Sequence, residues 1–185
     1  MSLSVFKANV LRFMQSEPDT SDEFAEHLTR EYDAAVKRGY DTLNLVPLQT
    51  GNTQVMETLL KALFKINMTV QSGVLTLADY GPAFQAYWTG AQGGLFPLPA
   101  IPAPGSFQNI ATNTHLIVNP GVWSATLPLP ATNSPTQFVD ALELGIITHL
   151  PTVQGLIVTT SLYPTAPAPT PAPGIISWVG YSIPG

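Results

Sequence analysis

At 185 residues the chain has the length of one ordinary domain or two small ones, and a 45% apolar content is enough to bury a core. Only 10% of its residues are charged, against about 25% in an ordinary soluble chain, and it holds 18 prolines, 14 glycines and no cysteine. Those numbers exclude a disulfide framework, thiolate zinc and a cysteine nucleophile, and a net charge of −5 with seven basic residues speaks against direct binding of nucleic acid. No apolar run reaches the roughly 20 residues of a membrane span, and the N-terminus, where Lys7 is followed by polar positions, lacks the apolar centre expected of a signal peptide.

Leu3, Phe6, Val10, Phe13 and Met14 step by three and four and predict a first short helix ending near Ser16, stopped by Glu17-Pro18-Asp19. Thr20 or Ser21 opens a second helix, with Glu23 completing a capping box and acids loading the first turn. Its apolar stripe is Phe24, Leu28, Tyr32 and Val36, and Gly39 supplies the stop. A third helix is predicted from about Thr53 to Met68. Its stripe of Val55, Met56, Leu59, Leu60, Leu63 and Phe64 is wide enough to require packing on two sides. Asp79 to Thr89 gives a fourth, short helix with Asp79 as an N-terminal acid.

From Gly93 to Pro135 the pattern changes to short apolar runs broken by proline, such as His115-Leu116-Ile117-Val118, and this density permits only short or edge strands. Thr136 to Leu150 is a fifth helix with Phe138, Leu142, Gly145, Ile146 and His149 on one face. Thr152 to Tyr163, rich in Val, Ile and Thr, is the strongest strand, and Ile175 to Ile183 the next. Between them Pro164 to Gly174 is expected to sample polyproline II without a partner for its backbone. The fold class is therefore α+β: a helical bundle over residues 1–90, then a Pro-rich, β-containing assembly part over 91–185 with one further helix, or the two merged into one compact unit.

All seven cations fall within the first 65 residues, and residues 66 to 185 carry only Asp79, Asp140 and Glu143. Sixteen of the 18 prolines lie in that neutral stretch. Disorder does not follow, because the same stretch keeps its aromatics and runs such as Leu156-Ile157-Val158, whereas disordered chains combine low hydrophobicity with high charge.

Chemistry has little material to work with. No G-x-S-x-G elbow, phosphate loop or G-x-G-x-x-G fingerprint is present. The glycine-rich Gly90 to Gly94 precedes prolines and lacks a lysine, so it predicts an ordinary turn. Glu23, His27 and Glu31 at i, i+4 and i+8 share a helix face and have zinc-ligand chemistry, but the same spacing describes a solvated stripe opposite Phe24, Leu28 and Tyr32. His115 and His149 sit among apolar residues as core or interface histidines, and Asp140 and Glu143 favour their helix dipole rather than forming an acid/base pair. No enzyme, cofactor or metal is expected.

A soluble monomer protects its surface with charge and its strand edges with lysine; residues 66 to 185 do neither. Tyr87, Trp88, Trp123, Trp178 and Tyr181 all lie beside loop signals and are taken as exposed interface anchors. For Trp178, burial in a small β-rich core is an almost equal expectation.

Phe6 to Met14 (FKANVLRFM), Phe24 to Gly39 (FAEHLTREYDAAVKRG), Ala86 to Ala91 (AYWTGA) and Trp178 to Tyr181 (WVGY) together resemble small virion structural proteins of large, contractile-tailed bacteriophages. The resemblance implies a virion component without catalytic residues, placed in neck, tail, baseplate or capsid surface. Its partners would be other virion proteins and further copies of itself in a homo-oligomer. A host-surface or carbohydrate-binding module, and a transient assembly factor absent from the finished particle, are the rival expectations.

Overall fold

The computed structural model describes residues 2–16, 20–41, 48–69, 76–89, 91–93, 96–97, 110–124, 134–163 and 170–185. Helix α1 (Leu3–Gln15) is capped by the Ser2 hydroxyl, which accepts from the Val5 N–H. In α2 (Ser21–Val36) the Thr20 side chain accepts from the Glu23 N–H, as the capping signal predicts. Helix α3 spans Thr53–Thr69 and α4 spans Leu77–Trp88, the latter opened by Thr76 and Asp79 in a reciprocal capping box. Helix α5 (Pro135–His149) starts on a proline, whose missing N–H is not needed at that position, and continues into a 3-10 turn over Leu150–Thr152.

One expectation about the helices is corrected. Met56 and Leu60 are fully buried and Phe64 nearly so, but Val55 and Leu59 remain exposed at 41% and 37%. The line 56/60/64 faces α2 and α4, and the flank bearing Val55 and Leu59 has no described neighbour over it. Helix α3 is therefore packed along one face.

The strands are β1 (Tyr40–Asp41), β2 (Leu48–Thr50), β3 (Gln92–Gly93), β4 (Phe96–Pro97), β5 (Ile110–Asn119), β6 (Gln154–Tyr163), β7 (Thr170–Val179) and β8 (Tyr181–Ser182). All pair antiparallel. Six form one sheet in the order β2-β3-β5-β6-β7, with β4 also on β5; β1 and β8 form a separate pair. Two strands exceed the sequence expectation. β5 runs for ten residues, because no proline falls between Ile110 and Asn119. β7 extends back through Pro171 and Pro173, so Thr170 to Gly174 pairs in register with Tyr163 to Thr159 of β6 instead of lacking a backbone partner. Residues 164–169 of that segment lie outside the described residues. At its other end the expected strand to Ile183 is broken by Gly180, whose φ of 93° turns the chain out of the large sheet so that Tyr181 and Ser182 pair with Asp41 and Tyr40.

The core joins sequence on both sides of residue 90. Phe6, Leu28, Tyr32, Leu60 and Trp88 belong to the same buried cluster as Leu142, Ile146, Val153, Trp178 and Tyr181. At its centre the Trp88 indole N–H donates to the Tyr32 hydroxyl at 2.9 Å, and Tyr32 meets Phe84 and Tyr87 edge-on at 4.8 and 4.9 Å. Tyr181 closes the cluster from the C-terminal side: its ring lies 5.0 Å from Trp88 and its hydroxyl donates to the Val36 carbonyl at 2.7 Å. The chain ends are tied to the same body, with the Leu3 N–H donating to the Pro184 carbonyl at 2.7 Å.

Trp88→Ala would remove a fully buried indole and strip the Tyr32 hydroxyl of its donor. A loss of about 3–5 kcal/mol is expected in urea unfolding, with Trp88→Phe falling between the variant and the parent.

Candidate functional site

Four of the five aromatics singled out by the sequence are buried in this chain. Tyr87 and Trp88 are fully buried, Trp178 and Tyr181 are 2% and 3% exposed, and Trp123 is half-buried. The exposure expected of Tyr87, Trp88 and Tyr181 is corrected, Trp178 takes the buried alternative, and Trp123 is only partly buried. Loop signals beside each residue suggested exposure, but every ring instead lies against a glycine or another aromatic across the chain's own core. Trp123 stacks on Phe84 at 4.7 Å and donates its indole N–H to the Leu77 carbonyl at 2.8 Å. It also fills the space above Gly81 and Gly145; a Cβ on Gly145 would sit 2.6 Å from the indole. Trp178 covers Gly155 in the same way, in the strand pair where the two residues are direct partners. Tyr87 donates to Asp33 at 2.8 Å, and burial, with that carboxylate close by, pushes its phenol far above the ordinary range.

The charged residues serve to join helices. Lys7 of α1 contacts both Asp140 and Glu143 of α5, at 2.6 and 2.9 Å, and this shared contact holds its ammonium protonated well above the usual lysine range. The i, i+3 spacing of the two acids was the signal in the sequence; their partner 133 and 136 residues away was not readable from it. Lys61 of α3 similarly bridges Glu26 of α2 and Glu57 at 2.6 and 2.8 Å. Such half-exposed pairs contribute little each.

Glu23, His27 and Glu31 do not converge. Glu31 is 7% exposed and accepts from the Asn9 amide at 2.7 Å, so it belongs to the α1–α2 contact rather than to a solvated stripe. His27 stacks on Phe13 at 4.0 Å and lies 2.7 Å from an Arg30 guanidinium nitrogen. Among the described residues no three His, Asp or Glu side chains come close enough together to hold a metal ion. Shallow clefts of about 190 and 350 Å³ flank the Phe13–His27 stack; the larger is lined by Ser16 as well as His27 and Glu31, but the Ser16 hydroxyl donates to the Phe13 carbonyl at 2.7 Å rather than to either. His115 lies in β5 and its side chain is outside the described residues. No helix is long and apolar enough to cross a membrane among those residues.

His149 is the most constrained titratable group. It is fully buried at the end of α5, with Nε2 2.8 Å from the Pro120 carbonyl and the Trp123 ring 5.6 Å away. The carbonyl can only accept, so Nε2 carries the hydrogen and Nδ1 is left as a bare, buried lone pair without a partner. Thr152 completes the joint: its hydroxyl accepts from the Val122 N–H at 2.7 Å and lies 2.7 Å from the His149 carbonyl. Gly121, with φ 84°, is needed here, because a Cβ would meet His149 and Thr152 at 2.9 Å.

The feature that distinguishes the molecule is the composition of its large sheet. None of the six strands carries an Asp, Glu, Lys or Arg. At the usual charged fraction of about a quarter, the three ten-residue strands alone would hold about seven. The charge lies in the helices, their flanks, the connections and, at Asp41, the separate β1–β8 pair.

Comparison of the chain with family models, with curated proteins and with solved structures returns no match.

Burial holds the His149 imidazole below its ordinary pKa of 6.5. The unfolded chain therefore takes up a proton near pH 6.5 while the folded chain does not, and stability falls as pH drops through that value, by at most about 1.4 kcal/mol per unit. His149→Gln, which keeps an N–H donor but cannot titrate, should show a shallower loss than the parent in urea melts at pH 7 and pH 5.

Proposed function

We propose that the chain is a non-enzymatic structural subunit of a tailed-bacteriophage particle, present in several copies and held by protein–protein contacts. In this reading the helical part over residues 1–90 is the body, and the Pro-rich part over 91–185, with its further helix, is the assembly part. The observation that carries it is the uncharged sheet. A free surface kept in solution benefits from charge for colloidal stability. Three long neutral strands suit a surface that neighbouring subunits cover.

The buried aromatics no longer lend the proposal weight, since they hold the chain's own core. Their burial also weakens the carbohydrate-binding alternative, which needs aromatic platforms facing solvent. The likeness of four segments to small virion proteins supplies the particle. Contacts made through neutral strands differ from charged ones in their salt response, because ionic strength screens only charge.

Mass spectrometry of purified particles should find the chain in multiple copies, still attached after a wash in molar sodium chloride. Presence during assembly followed by absence from finished particles would replace this reading with that of a transient assembly factor. Release by salt would remove the neutral contact from the proposal.

A further inference from the structure

Residues 120–124 leave the end of β5 as a connection without regular structure, and among the described residues no backbone-to-backbone hydrogen bond holds it. Side chains hold it instead. Asn119 accepts from the Gly121 N–H at 3.0 Å, and Gln85 of α4 donates to the Gly121 carbonyl at 2.9 Å. Thr152 accepts from the Val122 N–H at 2.7 Å, and His149 of α5 donates to the Pro120 carbonyl at 2.8 Å. These ties keep Trp123 wedged between Gly81 of α4 and Gly145 of α5, stacked on Phe84. A connection tied only through side chains opens at lower cost than a helix or a paired strand.

His149 is the one tie that a proton can undo. Its Nε2–H is committed to Pro120 and its Nδ1 is buried without a partner, so a second proton would create a charged N–H with no acceptor. Nor is there a counter-charge among the described side chains. On α5 itself Asp140 and Glu143 are held by Lys7 of α1, on α4 Asp79 is held by Thr76 and Tyr80 lies against Phe138, and none of them acts on the imidazole. The Pro120 carbonyl and the C-terminal end of α5 favour the cation, and burial outweighs them. The charge is hydrated only when the ring and the connection over it part. We propose that His149 is a proton-sensitive latch, whose protonation at Nδ1 frees residues 120–124 from α5 and lets Trp123 leave the slot between Gly81 and Gly145. The central cluster stays closed, because the Trp88–Tyr32 and Tyr181–Val36 bonds involve no residue of the connection. Release exposes an indole and opens a slot, floored by two glycines beside Phe84, that fits a flat ring. The latch is a property of the single chain and requires nothing of the particle.

Fluorine NMR of the full chain labelled with 5-fluorotryptophan follows the three indoles separately, with Trp123→Phe assigning the one that matters. Between about pH 7.5 and about pH 4.5 the Trp123 signal should move to a solvent-exposed position, with a midpoint below 6.5 and in step with the His149 imidazole resonances. The Trp88 and Trp178 signals should keep their folded positions. His149→Gln, which keeps an N–H donor and cannot titrate, should hold Trp123 in place throughout. Gln85→Ala, which removes a different tie, should raise the midpoint by about half a pH unit, because an easier opening lets the proton enter sooner. His27→Gln, at the separate contact with Phe13, should release Trp123 as the parent does. A Trp123 signal that stays in its folded position to about pH 4.5, a release that persists in His149→Gln, an unchanged midpoint in Gln85→Ala, or joint movement of all three indoles overturns the latch. Should His149→Gln fail to fold, Trp123 staying put while His149 of the parent titrates overturns it equally.

Discussion

The hydrogen bond from Trp88 to Tyr32 is the contact around which the rest of the molecule is arranged. Both side chains are fully buried, and a phenol hydroxyl in that position costs free energy unless a partner meets it. The indole N–H is itself a donor that burial would strand. Each group answers the other, and the surrounding rings of Phe84, Tyr87 and Tyr181 add edge-on contacts of about 0.5–1.5 kcal/mol each. Because Tyr181 follows directly on the large sheet through Gly180, the same cluster that holds α2 against α4 also fixes where the sheet leaves the helices. Sheet position and helix packing are consequently one problem with one solution.

Local chemistry made the helices legible. The Thr20 cap, the Ser16 boundary and the α5 face from Leu142 to His149 follow from rules that act within a few residues, and the structure obeys them. The side chains of the core depend on contacts far apart in sequence. Loop signals beside Trp88 and Tyr181 described the backbone correctly but said nothing about 93 residues of separation being closed by a ring contact. Lys7 likewise offered no hint of Asp140. The prolines of β7 misled for a different reason: density was read where parity mattered, since proline is excluded only from the bonded side of a strand. Pro97 follows suit, paired with Thr112, an even position of β5 opposite Thr160 of β6.

Charge in this chain is segregated by structural role. The helices use it for ion pairs that link α1 to α5 and α2 to α3, while the sheet does without it. Ordinary strands at a sheet edge carry lysine to discourage chance pairing. Here Pro171 and Pro173 stand at positions of β7 that do not bond to β6.

The alternation of bonded and unbonded residues in β7 also makes the strand intolerant of changes in length. Deleting or inserting one residue between Gly174 and Trp178 would reverse the parity of everything on one side of it. Either Pro171 and Pro173 would swing into the seam with β6, where their rings cannot donate, or Trp178 would be carried off Gly155 onto the opposite face. Substitution at many positions of this strand can be absorbed, but its residue count cannot drift by one, and related sequences should preserve that spacing even where they keep few of its side chains.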